Sequence, residues 1–418
     1  MTLGRTLAIG ALLTGCAAQP PTSAPTPAWA LPHAPRDSAE ARFPDAVRFL
    51  DSAVANGAAP GAELAVSWRG HRWYHGTGRL GIDDASVPDS LTLYDLASVT
   101  KVTAMTPLAL FAASEGKLDL DAPIQRYVPE FQGPNKDRVT VRHLLTHSSG
   151  LPAWRPLYLQ ATTRAGAMAL ADSTRLDTLP GTRMVYSDLG IIVMTQALER
   201  IYGHRIDTLA AERVFGPLGM ASTRYLPPVA WLPRIAPTEL DTVWRHRMLR
   251  GEVHDENASR LDGVSGHAGL FSDGVDMLAY GEWWIGEWKA WSGLGPAGTK
   301  APAYPPLRLT AFPGFVVRQD TPPGSSRALG WDTPGDISSS GHFMSVRSFG
   351  HTGFTGTSIW IDPTRDLVIV LLSNRVHPTR ANQNWGVEVR GGVADRVVQA
   401  LEPGAPRRPS VDSAGARP

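Results

Sequence analysis

Strand-like segments stand toward both ends of this chain and helical ones fill its middle, and this distribution restricts the fold more than any other feature. Near the N-terminus, Phe43, Val47, Leu50 and Val54 follow helical spacing, and Asn56-Gly57 ends the run. Two extended segments follow, Ala62 to Trp68 and His71 to Tyr74, joined by Arg69-Gly70 as in a hairpin. Strand signals return beyond a Pro-rich stretch at Ala301 to Pro306. They cover Arg327 to Asp332, Ser348 to Gly350, Thr357 to Asp362 and Asp366 to Leu372, with Asp362-Pro363-Thr364-Arg365 as a turn. A helical pattern from Asn384 to Leu401 closes the chain's ordered part. Between the two ends, helical spacing dominates at Arg164 to Asp172, Leu189 to Tyr202, Ile206 to Val214 and Val275 to Trp291. The expectation is an α+β fold, an α/β sandwich. Both ends of the chain build an antiparallel sheet flanked by N- and C-terminal helices, a mostly α-helical lobe is inserted, and the cleft between them is the natural place for a site.

The extremities differ from this body. Arg5 precedes a short apolar run, Leu7 to Leu13, which is too short to span a membrane and suits an export signal. It ends in Leu13-Thr14-Gly15-Cys16, which resembles the bacterial lipobox, and Cys16 is the only cysteine of the chain. The resemblance implies lipidation of Cys16 and a protein held by that anchor in the bacterial cell envelope, on the periplasmic or outer face of a membrane. The mature domain then has no disulfide and no thiolate metal site. The organisation expected is a signal over 1–16, a Pro/Ala-rich tether over 17–40, a folded domain over 41–402 and a disordered tail over 403–418. A formal charge of +1 with no basic block argues against nucleic acid as a partner.

The stretch that carries chemistry is Leu96-Ala97-Ser98-Val99-Thr100-Lys101, which opens an apolar helical run through Met105, Leu108 and Phe111. With Ser98 in the first turn, Lys101 lies three residues on, on the same face, with its amine in reach of the hydroxyl. A serine hydroxyl is a weak nucleophile near neutral pH and needs such a base, and a lysine serves only when its surroundings lower its pKa. The α/β-hydrolase route is disfavoured, since no Gly-x-Ser-x-Gly occurs; Gly263-Val264-Ser265-Gly266 comes nearest. His143 and His147, four apart, lack a third ligand and read as packing or hydrogen-bonding residues rather than a metal pair. Trp284, Trp288 and Trp291 read as core rather than a sugar platform. No metal or cofactor is expected.

Two further pieces accompany Ser98 in chain order, Tyr186-Ser187-Asp188 before the Leu189 helix and His351-Thr352-Gly353 before Thr357. Order and flanks resemble the serine β-lactamase and penicillin-binding-protein superfamily, most closely its class C-like branch of S-x-x-K, Y-x-N and K-T-G motifs. The flanks include Val141 to Pro152, Pro217-Leu218-Gly219-Met220 and Gly266 to Ser272. The resemblance implies Ser98 as acyl-forming nucleophile, Lys101, partly neutral, as its base, and Tyr186 as the group passing the proton to the leaving group. It implies an oxyanion hole from the backbone N–H groups of Ser98 and Phe354, with Asp188, His351, Thr352 and Gly353 meeting substrate. Its substrates are small molecules or peptides, including those of peptidoglycan: a D-alanyl cell-wall peptide, a β-lactam or a short ester. Asp188 stands where the pattern has asparagine, and an ionised carboxylate accepts but does not donate, so it is expected to pair with Lys101 or orient a substrate N–H. His351 stands where the pattern has lysine and is mostly neutral above pH ~6.5, so it holds a carboxylate more weakly. The competing reading is a penicillin-binding or sensor protein that is acylated, or binds wall peptides, without turnover.

Overall fold

The structure, a computed structural model, describes residue 1 and residues 37–293 and 311–410. Cys16, the signal segment, residues 17–36 of the expected tether and residues 411–418 of the expected tail lie outside the described residues. Order begins earlier and ends later than the boundaries 41 and 402. Strand β1 (Asp37–Ser38) already pairs with the sheet. At the other end Arg408 donates hydrogen bonds to the carbonyls of Gly335, Gly341 and Met344.

Helix α1 (Pro44–Ala55) starts with proline at a position that needs no N–H, and buries Ala46, Val47, Leu50 and Val54. Strands β2 (Gly61–Trp68) and β3 (His71–Gly78) follow. Their two-residue connection puts Arg69 at φ +53° and Gly70 at φ +83°, the left-handed pair whose twist matches the flanking strands. Strand β4 (Tyr94–Asp95) leads to Ser98; a wide helical turn over Lys101–Met105 passes into α2 (Thr106–Ser114). The helical lobe includes α3 (Val141–Leu145), α4 (Arg164–Ser173) and α5 (Asp188–Tyr202). Strands β5 (Arg224–Tyr225) and β6 (Leu270–Ser272) form a small sheet with β4, in the order β4-β6-β5. The long helix α6 (Gly274–Ser292) follows, and β7 (Phe349–Thr352), β8 (Ser358–Asp362), β9 (Leu367–Ser373) and α7 (Val387–Leu401) complete the chain.

The main sheet runs β1-β3-β2-β9-β8-β7, so both ends of the chain meet at the β2–β9 pairing, where Ala65 faces Val370. Its five principal strands are antiparallel; the two-residue β1 is parallel to β3, which makes the sheet mixed at that edge. Period-two alternation feeds two cores. Leu64, Val66, Trp360, Ile369 and Leu371 pack with α1 and α7 on one face. Ala65, Ile359, Ile361, Val368 and Val370 face α6 and the lobe. Helix α6 presses close to β9 at Gly281, where an added Cβ would stand 2.5 Å from the Val368 side chain. Trp284 lies fully buried there, its ring edge-on to Trp331 at 5.4 Å, and Trp288 is buried beside it, so these residues of the tryptophan stripe are core.

The expected strand over Arg327 to Asp332 is corrected by the structure. These residues form a tight turn closed by a single bridge between Arg327 and Asp332, because Gly330 adopts φ +86° and reverses the chain. The run from Ile206 to Val214 is likewise divided into Ile206–Ala210 and a wider turn over Ala211–Phe215.

Candidate active site

The loop that presents Ser98 is clamped from both lobes. Leu96 N–H donates to Leu270 O of β6 at 2.9 Å. From the β7–β8 turn, Thr355 Oγ1 donates to Asp95 O at 2.7 Å and Thr357 Oγ1 to Leu96 O at 2.9 Å. Gly353 lies in the same contact: a Cβ there would stand 2.4 Å from Leu96 O, so this glycine is required by close backbone approach. Ala97 is held at φ +46°, a left-handed conformation that costs an L-residue about 1 kcal/mol. The buried Asp95 carboxylate sustains it by accepting from Ala97 N–H at 2.8 Å and His254 N–H at 2.6 Å. Strain held in this way directs the following side chain.

From Ser98 the chain turns with i to i−3 bonds, Lys101 N–H reaching Ser98 O at 3.0 Å, and then widens over Lys101–Met105. Lys101 is thereby placed beneath Ser98 and is 1% exposed. Its Nζ donates to Ser98 Oγ at 2.9 Å and to His267 O at 3.0 Å, and lies 2.7 Å from Asp188 Oδ1. Burial pulls the Lys101 pKa down, while the Asp188 charge and Tyr186 pull it up, and the net lies above the ordinary lysine value. Lys101 therefore holds its proton at neutral pH, in contrast to the partly neutral base that the resemblance implies.

Asp188 reaches this position because Ser187 caps α5, its hydroxyl accepting from Gly190 N–H at 3.3 Å and donating to Pro152 O at 2.7 Å. Tyr186 precedes it and packs on His147, ring centroids 4.4 Å apart. His147 Nδ1 accepts from Ser187 N–H at 3.1 Å, so its neutral form carries the proton on Nε2. His143 has a different role, accepting Thr140 N–H at 3.2 Å in the cap of α3. Among the described residues, no three His, Cys, Asp or Glu side chains converge as a metal site.

His351 on β7 donates from Nδ1 to Thr352 O at 2.8 Å, which leaves the Nε2 lone pair buried without a partner. Burial, with the charges of Arg327 and Lys101 behind it, holds the pKa of both His351 and His147 well below the usual imidazole value. Both rings are neutral near pH 7. His351 supplies an acceptor where a lysine would supply a cation.

Ser98, Tyr186, Arg327, His351, Phe354 and Arg390 line one cavity of about 460 Å³. Its arginines differ in how they are used. Arg375 Nε donates to Phe354 O at 2.8 Å and Arg390 Nη2 to Gly353 O at 3.0 Å, fixing the turn. Burial and the neighbouring Arg375 lower the Arg390 pKa to about 10, so it stays charged at neutral pH. Arg327 lies 5.2 Å over the Tyr186 ring, and its Nε and Nη1 are buried without hydrogen-bond partners. Its Nη2 forms a long ion pair with Asp332 Oδ2 at 3.8 Å, while the other Asp332 oxygen accepts from Ser326 Oγ and Thr333 N–H. Among the described residues, neither the Ser98 nor the Phe354 amide donates to the chain, and both residues border this cavity. Two such amides are suited to a developing oxyanion.

Behind Lys101, His267 bridges Asp255 (Nε2 to Oδ1, 2.9 Å) and Ser265 (Nδ1 to Oγ, 2.7 Å). The trio has the order of a hydrolytic triad, but Ser265 and His267 are each 1% exposed. Its place is structural: it fixes the His267 carbonyl that receives Lys101. Sequence reasoning missed Arg327, Arg390, Asp95, Asp255 and the role of His267. Gly266-His267-Ala268 was visible within a flank of the motif pattern, whereas Arg327 and Arg390 sit in unremarkable loop and helix text.

A serine hydrogen-bonded to a buried lysine, in a cleft between a helical lobe and an antiparallel sheet, is the arrangement of a serine hydrolase of the β-lactamase type. The β-lactamase family model matches residues 46–391, and the chain belongs to that family. A curated relative, "Putative D-alanyl-D-alanine carboxypeptidase" of Salmonella enteritidis PT4, is 32% identical over 324 residues, 70% of this chain and 71% of the relative. Among solved structures, a class C β-lactamase from Rhodobacter sphaeroides superposes with TM-score 0.63 at 20% identity, covering 85% of this chain and 99% of its own. EstCE1, "a hydrolase with promiscuous acyltransferase activity", gives TM-score 0.64 at 18% identity, covering 86% and 99%. These two likenesses concern the fold.

Proposed function

We propose that this protein is an exported acyl-transfer hydrolase that cleaves an amide or ester bearing a carboxylate, of the D-alanyl peptide type, through an acyl-enzyme on Ser98. The observation that carries the reading is the 2.9 Å bond from Lys101 to Ser98 Oγ, in a cavity lined also by Arg327, whose Nε and Nη1 have no hydrogen-bond partner. The Ser98 and Phe354 amides and Arg327 border the same cavity, so an acyl carbonyl held by the amides and an anionic group near Arg327 would lie in one pocket. The curated relative's name agrees with such a substrate.

The decisive measurement is intact mass during reaction with a p-nitrophenyl ester, a D-alanyl-D-alanine peptide and a chromogenic cephalosporin. An adduct at Ser98 with continued product release supports a hydrolase. One equivalent of product followed by silence defines an acylated receptor instead, and no adduct removes Ser98 from the chemistry. Arg327→Gln is expected to lower the preference for an acid substrate over its methyl ester by about 10- to 100-fold, the worth of a hydrogen bond to a charged group. An unchanged ratio of kcat/KM values places the anion elsewhere.

The lipobox-like Leu13 to Cys16 supports a lipid-anchored envelope location. Among the described residues no helix is long and apolar enough to cross a membrane. Cys16→Ser is expected to release the protein from the membrane fraction; unchanged fractionation defeats the anchor.

A further inference from the structure

The Lys101 ammonium has three N–H donors and three oxygens around it, Ser98 Oγ, His267 O and Asp188 Oδ1, at 2.9, 3.0 and 2.7 Å. A lysine in this state cannot take the serine proton. It must release one first, and the neighbours differ in whether they can receive it. A backbone carbonyl such as His267 O is not a base, and Tyr186 makes no hydrogen bond through its buried hydroxyl. Asp188 Oδ1 is in contact and makes no other hydrogen bond.

We propose that Asp188 is the proton store of this site: it takes a proton from Lys101, and the freed amine then takes that of Ser98. The inference rests on Ser98 being the acylated residue. As Ser98 Oγ bonds to the acyl carbon, the Oγ–H bond breaks and its proton moves to Lys101 Nζ. The Nζ lone pair that accepts it is freed beforehand, when one Nζ–H bond breaks and that proton moves to Asp188 Oδ1. Lys101 is an ammonium again, Asp188 becomes a carboxylic acid, and the negative charge passes to the oxyanion. When the bond to the leaving nitrogen or oxygen breaks, that atom takes the proton back through Lys101. Hydrolysis of the acyl-enzyme by water repeats the exchange.

In water an ammonium gives its proton to a carboxylate against about six powers of ten in equilibrium constant. Burial disfavours both charges, with Lys101 1% and Asp188 18% exposed, but the Asp188 charge and Tyr186 outweigh it at Lys101, so the ion pair is the resting state and the neutral pair is reached only during the reaction. Asp188 acts through Lys101 rather than on substrate. It is therefore a positioning and proton-holding residue, and its mark is on pH dependence. The other groups facing the pair are Tyr186, Arg327 above the Tyr186 ring, His147 after α3, His351 on β7, and Asp255 with His267 behind Lys101. Both histidines are neutral near pH 7, the arginine is always charged, and Asp255 is held ionised by His267.

The test is the pH profile of kcat/KM for a neutral ester in wild type, Asp188→Asn and Asp188→Glu, with intact-mass detection of the Ser98 adduct. Wild type is expected to lose activity as pH falls through the range in which the Lys101–Asp188 pair takes up a proton. In Asp188→Asn the lysine has lost its counter-ion and must itself be neutral, so the acid limb moves up by about two pH units or more, a loss of about 100-fold below it. Activity recovers at alkaline pH, and Asp188→Glu returns the limb toward its wild-type position. If Asp188→Asn keeps the wild-type limb while still forming the adduct, the proton store is overturned and the Ser98 reading stands. If wild type forms no adduct, both fall.

Discussion

Ser98→Ala is expected to abolish turnover, lowering kcat by about 10⁴-fold or more, since one member of a nucleophile–base unit removes nearly all that the unit supplies. The oxyanion amides and the arginines are untouched, so binding of a carboxylate ligand should persist. The fold should persist too. Ser98 is half-buried and its side chain meets Lys101 through one hydrogen bond of 2.9 Å. Lys101 keeps His267 O and Asp188, so the stability change is about 1 kcal/mol. Steady-state ester hydrolysis beside thermal melting checks both halves. Turnover retained in a well-folded Ser98→Ala protein moves the nucleophile elsewhere.

Lys101→Met should cost both activity and stability. Acylation loses its proton path and falls by about 10³-fold or more. Asp188 loses its ion-pair partner at 2.7 Å in a mostly dry site, and a buried charge left uncompensated costs about 3 kcal/mol. The double variant Lys101→Met/Asp188→Asn removes the orphaned charge as well. Its melting temperature should recover much of the loss while its acylation rate does not. Chemical denaturation of the two singles and the double isolates the pair. If the double is as unstable as Lys101→Met alone, the cost lies in lost packing rather than in charge.

This coupling shows which parts of the site the sequence discloses. The spacing of Ser98 and Lys101 predicts their contact, because residues three apart on a helical turn share a face whatever the rest of the chain does. The structure retains that contact across a tight i to i−3 turn, before the chain widens over Lys101–Met105. Asp188 was expected to pair with Lys101 or to meet a substrate N–H, and only the approach of α5 to the Ser98 loop selects the ion pair. The strand expected at Arg327 failed for a local reason, the reversal at Gly330. That reversal places Arg327 over Tyr186. Gly353 was assigned to substrate through its motif, whereas its close packing on Leu96 O explains the glycine without any ligand.

The sequence by itself determined the elements and their local chemistry. Apolar period, capping residues and turn residues act within a few positions, and they specify the hairpin at Arg69-Gly70, helix α5 behind Ser187 and the Ser98–Lys101 turn. Only the tertiary structure decided the charge state of the site. Whether Lys101 is an ammonium and whether His351 is neutral depend on burial and on groups tens to hundreds of residues away. Coulomb energy and desolvation follow distance in space, and no spacing along the chain reports it.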